Sequence, residues 1–278
     1  MTDYFQPIPD SSDPEVVSAY DEVFFWSARF GVLLFKHLGL RRNSHILDLA
    51  CGTGFPLFEL AHLCGRSCQL TGVDVWKEAL ERARAKLKVY DLPNVQLVEA
   101  NAAALPFADA SFDLIVSNLG INNFADPQAA LNECFRVARP GARIALTSNL
   151  QGHMREFYTL YRVVLTELGN VEYLTRLEAH ETHRATKASA SRLLEVAGFT
   201  ITKVVEDSFQ FRYVDGTAFF NHWLTRLGFL EEWRGVVDPA DGAEVFARLE
   251  VRLNAQAERD GELRMTVPML YLEGQKPD

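Results

Sequence analysis

Residues 45–54 read His-Ile-Leu-Asp-Leu-Ala-Cys-Gly-Thr-Gly, a short apolar run that passes directly into a turn of small residues. Small side chains at Ala50, Gly52 and Gly54 let the backbone turn sharply and approach a ligand closely. Helical spacing follows at Leu57–Leu63, so this stretch predicts a strand, a turn and a helix in succession. The free N–H groups at the start of that helix favour ligand binding at the turn.

The same alternation of strands and helices continues for about a hundred residues. The predicted strands are His45–Ala50, Leu70–Val75, Val95–Ala100, Phe112–Asn118 and Ala142–Ser148, and the later predicted helices are Glu78–Val89 and Gln128–Ala138. Short connections between them indicate a parallel sheet that is covered on both faces. Right-handed crossovers make it doubly wound, so we expect an α/β, Rossmann-like fold.

Helical patterns precede and follow this alternation. Residues 15–40 predict one or two helices with a break at Gly31, and residues 1–14 predict an arm or loop. The aromatic-rich stripe at 216–233 fits either a helix core or the wall of an acceptor pocket. The remaining predicted elements are a helix from Met154 to Leu168, a helix at Ser189–Ala197, a strand at Phe199–Val205 and a last strand at Leu263–Leu272, whose Pro268 favours an edge position or a bulge.

Composition excludes several classes of protein. The chain has 278 residues, 48% of them hydrophobic, and a net charge of −9 from 28 basic and 37 acidic residues. The densest basic stretch, 77–88, is interleaved with Glu78 and Glu81 and is typical of a solvated helix face, so we expect no nucleic-acid partner. No apolar run is long enough for a membrane span, and no secretory signal is recognisable. The four cysteines are too few for a disulfide scaffold, which favours a cytoplasmic location.

The ligand at the turn follows from the charges around it. Asp74 ends the second predicted strand, where a carboxylate can bind both hydroxyls of a ribose. A dinucleotide fingerprint needs a third glycine, but Leu57 stands there, and Pro56 removes one N–H donor. Asp48 would repel a diphosphate and attract an ammonium group. The ligand implied is adenosine joined to an amino acid.

Four stretches resemble, in order, the motifs of class I S-adenosylmethionine-dependent methyltransferases: ILDLACGTG at 46–54, GVDVW at 72–76, VEANAAALPFADASFDLIVSN at 98–118 and RVARPGARIALTS at 136–148. The subgroup that they resemble most is the small-molecule enzymes of the quinone-biosynthesis type. The acidic charge favours a small organic acceptor, and the helical additions rich in Phe and Trp favour an apolar or aromatic one. The resemblance implies a seven-stranded sheet, and S-adenosylmethionine as cofactor with S-adenosylhomocysteine as product. It divides the chain into an N-terminal arm and helical lid (1–40), a cofactor-binding core (41–150) and a remainder (151–278) with substrate-side insertions at about 151–190 and 216–260.

The same resemblance assigns the cofactor contacts. Asp48 and the turn hold the methionine part, and Asp74 holds the ribose. Apart from the resemblance, the charge of Arg29 in the N-terminal helix suits it to pair with the methionine carboxylate. The full predicted set is Asp48, Ala50, Cys51, Gly52, Gly54, Asp74, Val75, Asn101, Ala102, Asn118, Leu119 and Arg29. Three positions depart from the family pattern: Ala50 replaces a usual glycine, Asn101 a frequent aspartate, and Asn122-Asn123 a stretch that often carries histidine.

Catalysis needs little from the protein, because a sulfonium is already an activated methyl donor. Tyr20 and His153 are the candidate catalytic groups if the acceptor must lose a proton. We predict no metal site, because His180 and His183 lack a third ligand nearby in the sequence.

Two other functions stay open at this point. One is a member of the same fold that binds the cofactor without turnover. The other is an NAD(P)-dependent oxidoreductase, which would need the missing third glycine and a Tyr-x-x-x-Lys pair that the chain does not contain. The sequence also leaves the oligomeric state open, with a homodimer as one option.

Overall fold

A computed structural model describes residue 10, residues 12–23 and residues 25–278. Seven strands form a sheet: β1 His45–Leu49, β2 Gln69–Asp74, β3 Val95–Glu99, β4 Phe112–Asn118, β5 Ala138–Asn149, β6 Thr200–Tyr213 and β7 Leu263–Gln275. Their order across the sheet is β3-β2-β1-β4-β5-β7-β6. Strands β1 to β5 pair in parallel and β7 pairs antiparallel to β5. The predicted doubly wound, mostly parallel sheet is confirmed.

The central strands are buried along almost their whole length. In β1 only His45 is exposed, and in β4 only Asp113 is partly exposed. Parallel strands that are covered on both faces read as continuous apolar runs, which is why these two were recognisable in the sequence. Asp113 accepts hydrogen bonds from the His45 backbone N–H at 2.8 Å and from Arg139 at 2.7 Å, so its carboxylate joins the starts of neighbouring strands.

The described helices connect and flank these strands. They are α1 Pro14–Glu22, α2 Phe25–His37, α3 Leu57–Cys64, α4 Lys77–Tyr90, α5 Pro127–Val137, α6 Arg155–Leu168, α7 Val171–Thr182, α8 Lys187–Ala197, α9 Gly216–Asn221, α10 Trp223–Gly228, α11 Leu230–Arg234 and α12 Pro239–Asp260. Helix α5 shows how local chemistry sets a start: Asp126 accepts the Ala129 backbone N–H at 2.9 Å, and Pro127 occupies the first turn. None of the helices in these described ranges combines the length and apolar character needed to span a bilayer.

The N-terminal helical pattern resolves into two helices, but not with the predicted break. Gly31 lies inside α2, which begins at Phe25, whereas α1 ends at Glu22. The glycine serves close packing, because a Cβ added at Gly31 would lie 2.3 Å from the ring of Phe55. The break predicted at Gly31 is therefore wrong. Most of the predicted arm at 1–14 lies outside the described residues, as does Phe24.

The last strand also differs from its predicted place. Strand β7 lies between β5 and β6, so the edge position inferred from Pro268 is wrong, whereas the bulge inferred as its alternative stays a prediction. Pro268 is tolerated because the β5–β7 ladder stops one residue away, at the pair Asn149 and Met269.

Two compact units make up the described chain. The sheet unit contains residues 12–149, 186–207 and 269–278, and the helical unit contains residues 150–185 and 208–268 together with residue 10. The three-part division predicted from the sequence, at residues 40 and 150, stays a prediction.

Aromatic side chains form the core of the helical unit. We call them the Trp233 cluster: Phe157, Tyr158, Tyr161, Phe219, Phe220 and Trp233, all buried. The Trp233 and Phe157 rings have centroids 4.1 Å apart. Trp233 Nε1 donates to the Tyr158 hydroxyl at 2.9 Å, and the Tyr161 hydroxyl donates to the Trp233 carbonyl at 2.8 Å. The cluster includes three residues of the aromatic stripe at 216–233, namely Phe219, Phe220 and Trp233. For these three residues the structure supports the helix-core interpretation.

Candidate functional site

A cavity of about 600 Å³ opens at the carboxyl ends of the parallel strands, within the sheet unit. This edge is where ligands bind in doubly wound sheets. Its walls come from the β1–α3 turn, the ends of β2, β3 and β4, the segment before α5, and both N-terminal helices. The lining residues are Tyr20, Trp26, Ser27, Ala50–Thr53, Phe55, Val73–Trp76, Ala100–Ala103, Asn118–Gly120, Asn123–Asp126 and Ala130.

The turn after β1 has the backbone shape that its small residues predict. Ala50, Gly52 and Gly54 have φ angles of 62°, 51° and 107°. A Cβ on Gly54 would lie 2.0 Å from the Phe58 ring, so only glycine fits there. The position of a Cβ on Gly52 has no atom within 4 Å, which leaves its backbone open to the cavity that it lines. Gly54 supports the turn from behind and does not line the cavity.

Asp74 ties the turn to the end of β2. Its carboxylate accepts the backbone N–H of Gly52 at 2.7 Å and that of Trp76 at 2.8 Å. A carboxylate offers about four acceptor positions, so two bonds leave capacity for the hydroxyls of a ribose. Asp74 lines the cavity, where the sequence predicted a sugar-binding acid.

Asp48 lies beneath the turn and does not line the cavity. It is 0% exposed, and neither oxygen has a hydrogen bond of good geometry, although the Leu57 backbone N–H gives partial compensation. Burial, with the nearby charge of Asp74, raises its pKa well above the usual range. A cationic group at the turn would relieve this cost, because an opposite charge favours the ionised form.

The sulfonium side predicted at Asn118 and Leu119 is held by bonds to other elements. Asn118 Nδ2 donates to the Ser27 carbonyl in α2 at 3.0 Å, and its Oδ1 accepts from Thr147 Oγ1 at 2.7 Å. Leu119 has a positive φ of 69°, an unusual conformation for a branched residue and one concentrated at functional sites. Both residues line the cavity.

The adenine side and the asparagine pair behave differently. Val75, Asn101 and Ala102 line the cavity, and Asn101 Oδ1 accepts the Ala103 backbone N–H at 2.9 Å. Asn122 is bonded to Asn149 and Ser148 instead, and only its neighbour Asn123 lines the cavity.

Tyr20 is the candidate catalytic residue that the structure brings to the cavity. Its ring meets that of Trp76 edge-on at a centroid distance of 5.2 Å. Burial, together with the carboxylates of Asp74 and Asp21, raises the pKa of its hydroxyl, although 42% of the residue surface is exposed. The hydroxyl therefore stays protonated at neutral pH, which favours donation of a hydrogen bond over acceptance of a proton.

Two predicted residues lie elsewhere. His153 belongs to the helical unit, where it is buried with its ring 5.2 Å from that of Phe229, and burial lowers its pKa well below the usual range. Arg29 is exposed on α2, with its guanidinium 4.6 Å from the centre of the Phe25 ring. Neither residue lines the cavity, so their predicted roles stay predictions.

Sequence reasoning missed the aromatic walls. Trp26, Phe55 and Phe124 line the cavity, and none was singled out. Phe55 stands directly after the glycine motif, which was the one local signal available.

His180 bonds to Tyr158, with 2.9 Å between Nε2 and the hydroxyl oxygen. Within the part of the chain that the structure describes, no three His, Cys, Asp or Glu side chains gather as a metal site.

The model of a family described as a methyltransferase domain matches residues 40–198. The chain belongs to this methyltransferase family. Its cofactor is S-adenosylmethionine, its acceptor is a small molecule, and its fold is that of the class I enzymes, whereas the oxidoreductase alternative fails with this match. Residues 199–278 of the methyltransferase lie outside the match.

Curated relatives agree with this assignment, and solved structures share the fold. The methyltransferase is 30% identical to the demethylmenaquinone methyltransferase of Listeria welshimeri over 182 residues, which are 62% of this chain and 77% of that protein. A Bacillus halodurans structure, reported as a candidate methyltransferase, has a TM-score of 0.59 at 18% identity and covers 89% of this chain and 99% of its own. An S-adenosylmethionine-dependent methyltransferase from Aquifex aeolicus has a TM-score of 0.54 at 22% identity and covers 69% of this chain and 92% of its own.

Proposed function

We propose that this methyltransferase acts on a small acceptor of apolar or aromatic character, with reduced quinones as the first class to test. The observation that carries the proposal is the composition of one cavity. One part holds the Gly52 backbone and the Asp74 carboxylate, and Trp26, Phe55 and Phe124 supply aromatic walls. Pockets of this kind bury apolar ligands and orient them with a few polar groups.

The residues present fit S-adenosylmethionine. Asp74 has acceptor capacity for a ribose, Gly52 leaves its backbone accessible, and buried Asp48 lacks a strong partner beneath the turn. When bound, the cofactor supplies a methyl group already activated on a sulfonium. We propose that the chain contributes the rest by holding Asn118 and Leu119 in place and by excluding water with its aromatic walls.

In this proposal Tyr20 orients the acceptor at the cavity and does not take up its proton. Its raised pKa suits it to donate a hydrogen bond to an acceptor oxygen. The hydroxyl of a reduced quinone or phenol is acidic compared with that of an alcohol, so we propose that its proton passes to water as the methyl group is transferred. Asn123 could orient such a hydroxyl from the segment after β4.

The named relative supports the acceptor class. The Listeria welshimeri protein is a demethylmenaquinone methyltransferase, and 77% of its length aligns with this chain. We also propose a cytoplasmic location, in agreement with four cysteines that are all free thiols. The oligomeric state is left to measurement, with a homodimer as one option.

Calorimetric titration with S-adenosylhomocysteine tests the cofactor site. We expect the native protein to bind and Asp74→Ala to weaken binding roughly 10- to 100-fold, the value of hydrogen bonds to a charged acceptor. Asp113→Asn is the matched control, because it alters a bonded carboxylate outside the cavity. Absence of binding by the native protein would refute the proposal.

Methyl transfer is tested with cofactor that carries a labelled methyl group. The acceptor panel contains reduced quinones, phenols, amines and thiols, and the product is located by mass spectrometry. We expect label in the quinol or phenol arms. Binding of the cofactor with no transfer to any acceptor would favour the member without turnover.

A further inference from the structure

Asp21 joins three parts of the sheet unit through one carboxylate. Its Oδ1 accepts from Thr53 Oγ1 at 2.8 Å and from Lys86 Nζ at 2.8 Å. Its Oδ2 accepts from Arg82 Nε at 3.0 Å. Only 14% of the Asp21 side chain is exposed, so these bonds are poorly screened by water.

The three partners come from two elements, the turn after β1, which lines the cavity, and helix α4. Thr53 lies between the two glycines of the turn, is buried and lines the cavity. Arg82 and Lys86 stand one helical turn apart on α4, the helix that follows the end of β2. The basic stretch predicted as a solvated helix face thus contributes two cations to a specific ion-pair cluster.

The carboxylate is ionised at neutral pH. Burial alone would raise the pKa of Asp21, but the hydrogen bonds from Lys86 and Thr53 and the charge of Lys86 more than offset it and leave the pKa below its usual value. A charged acceptor with three donors is a strong local constraint.

The residue before Asp21 is Tyr20, which lines the cavity against Trp76. Both Tyr20 and Asp21 lie in α1, so a bond that fixes one backbone position fixes the other. The Thr53 bond depends on the shape of the turn, and this links the order of the turn to the order of α1.

We propose that Asp21 is a positioning residue that fastens α1 to the cofactor turn and to α4, so that Tyr20 completes the cavity wall when the cofactor is held. The proposal rests on the proposed function of this cavity. A cofactor that orders the turn then also orders α1, although Asp21 itself does not line the cavity.

Binding of S-adenosylhomocysteine measures the link. We expect Asp21→Ala to weaken binding roughly tenfold and Thr53→Val to weaken it by a similar factor. Both changes break the hydrogen bond between Asp21 and Thr53. The double variant should therefore bind no more weakly than the single variant that binds more weakly. Asp21→Asn should lose less, because an amide oxygen still accepts from Thr53, and this arm is informative even if the alanine variant fails to fold.

The control is Asp113→Asn, which alters a carboxylate bonded to Arg139 and to a backbone N–H. It should lower the unfolding temperature while the dissociation constant stays within about twofold, as expected for a distant site. If the Asp21 and Thr53 variants also keep their dissociation constants within twofold, the proposal is overturned.

Hydrogen exchange gives a second readout. In the native protein, S-adenosylhomocysteine should slow exchange of the α1 amides, and in Asp21→Asn this protection should be reduced. Without ligand, Asp21→Ala should speed exchange in α1, which tests the fastening even if the native protein binds no cofactor. Unchanged α1 exchange in both variants would overturn the proposal independently of the cofactor assignment.

Discussion

The region around the β1–α3 turn and the Trp233 cluster both contain buried polar groups, but only in the cluster do all of these groups have good hydrogen-bond partners. In the cluster, the Trp233 indole N–H and the Tyr161 hydroxyl each have an acceptor among closely packed rings. Asp48, in β1 just before the turn, is fully buried without a strong partner, and Ala50, in the turn, adopts a left-handed conformation that L-residues avoid.

We interpret this difference in the partners of buried polar groups as the difference between a packed core and the proposed ligand site. Strain and desolvated charge persist where the surrounding structure compensates for them, and they concentrate at functional sites. In the Trp233 cluster, the Trp233 N–H and the Tyr161 hydroxyl both have acceptors, so neither carries a desolvation cost. We therefore expect the residues of the cluster to stabilise the fold. Four substitutions probe this contrast, in decreasing order of expected effect.

Trp233→Ala should give the largest loss. Removing a fully buried indole leaves a cavity and costs about 3–5 kcal/mol of unfolding free energy. Denaturant titration followed by circular dichroism measures the change. Trp233→Phe keeps the ring contact and should cost less; a loss below about 1 kcal/mol for the alanine variant would mean that the cluster is not a stabilising core.

Tyr158→Phe should cost about 1–3 kcal/mol, because it leaves the Trp233 N–H buried without its acceptor. The same titration measures it. Tyr90→Phe is the control, since Tyr90 is 43% exposed, and it should change stability little. Equal effects of the two substitutions would show that the buried bond has no special value.

Asp48→Asn should change how stability depends on pH. A carboxyl whose pKa is raised in the native state retains its proton after the unfolded chain has lost it, so the native protein loses stability as pH rises above about 4. The variant lacks this loss. As pH rises, the unfolding free energy of the variant should therefore gain on that of the native protein, by about 1.4 kcal/mol for each unit by which the pKa of Asp48 is raised. Parallel stability curves from pH 4 to pH 8 would contradict a strained Asp48.

Ala50→Gly should give the smallest effect, a gain of about 0.5 kcal/mol. Glycine removes the left-handed strain of about 1–2 kcal/mol but gives back part of it as chain entropy. Thermal unfolding is sensitive enough to detect this. Gly54→Ala is the opposite control, because its Cβ would collide with Phe58 and must destabilise the turn.

Local sequence patterns predicted most of the fold and the part of the cavity that contains the β1–α3 turn and Asp74. Strand β1, its turn and Asp74 were recognisable because burial on both faces and a sharp turn leave marks on adjacent residues. Gly31 was misinterpreted because the need for glycine there comes from the ring of Phe55, which belongs to a distant segment of the sequence. A glycine needed for close approach looks, in sequence, like a glycine that ends a helix.

Long-range pairings explain what the sequence did not reveal. Asp21 bonds to Thr53 and Lys86, which are 32 and 65 residues away in the sequence, and hydrophobic periodicity does not predict such pairings. The cavity walls Trp26 and Phe124 are likewise apolar residues in helical or loop contexts, where core packing is the common explanation.

The path of the chain between the two units bears on how such enzymes can be re-engineered. The chain leaves the sheet unit after Asn149, returns at Thr186, leaves again after Asp207 and returns at Met269. Apart from residue 10, the described part of the helical unit comes from two internal segments, 150–185 and 208–268, so trimming a terminus does not remove it. A chimera that keeps this cofactor machinery and takes another relative's helical part must be spliced at four junctions, with both inserted pieces drawn from the same donor.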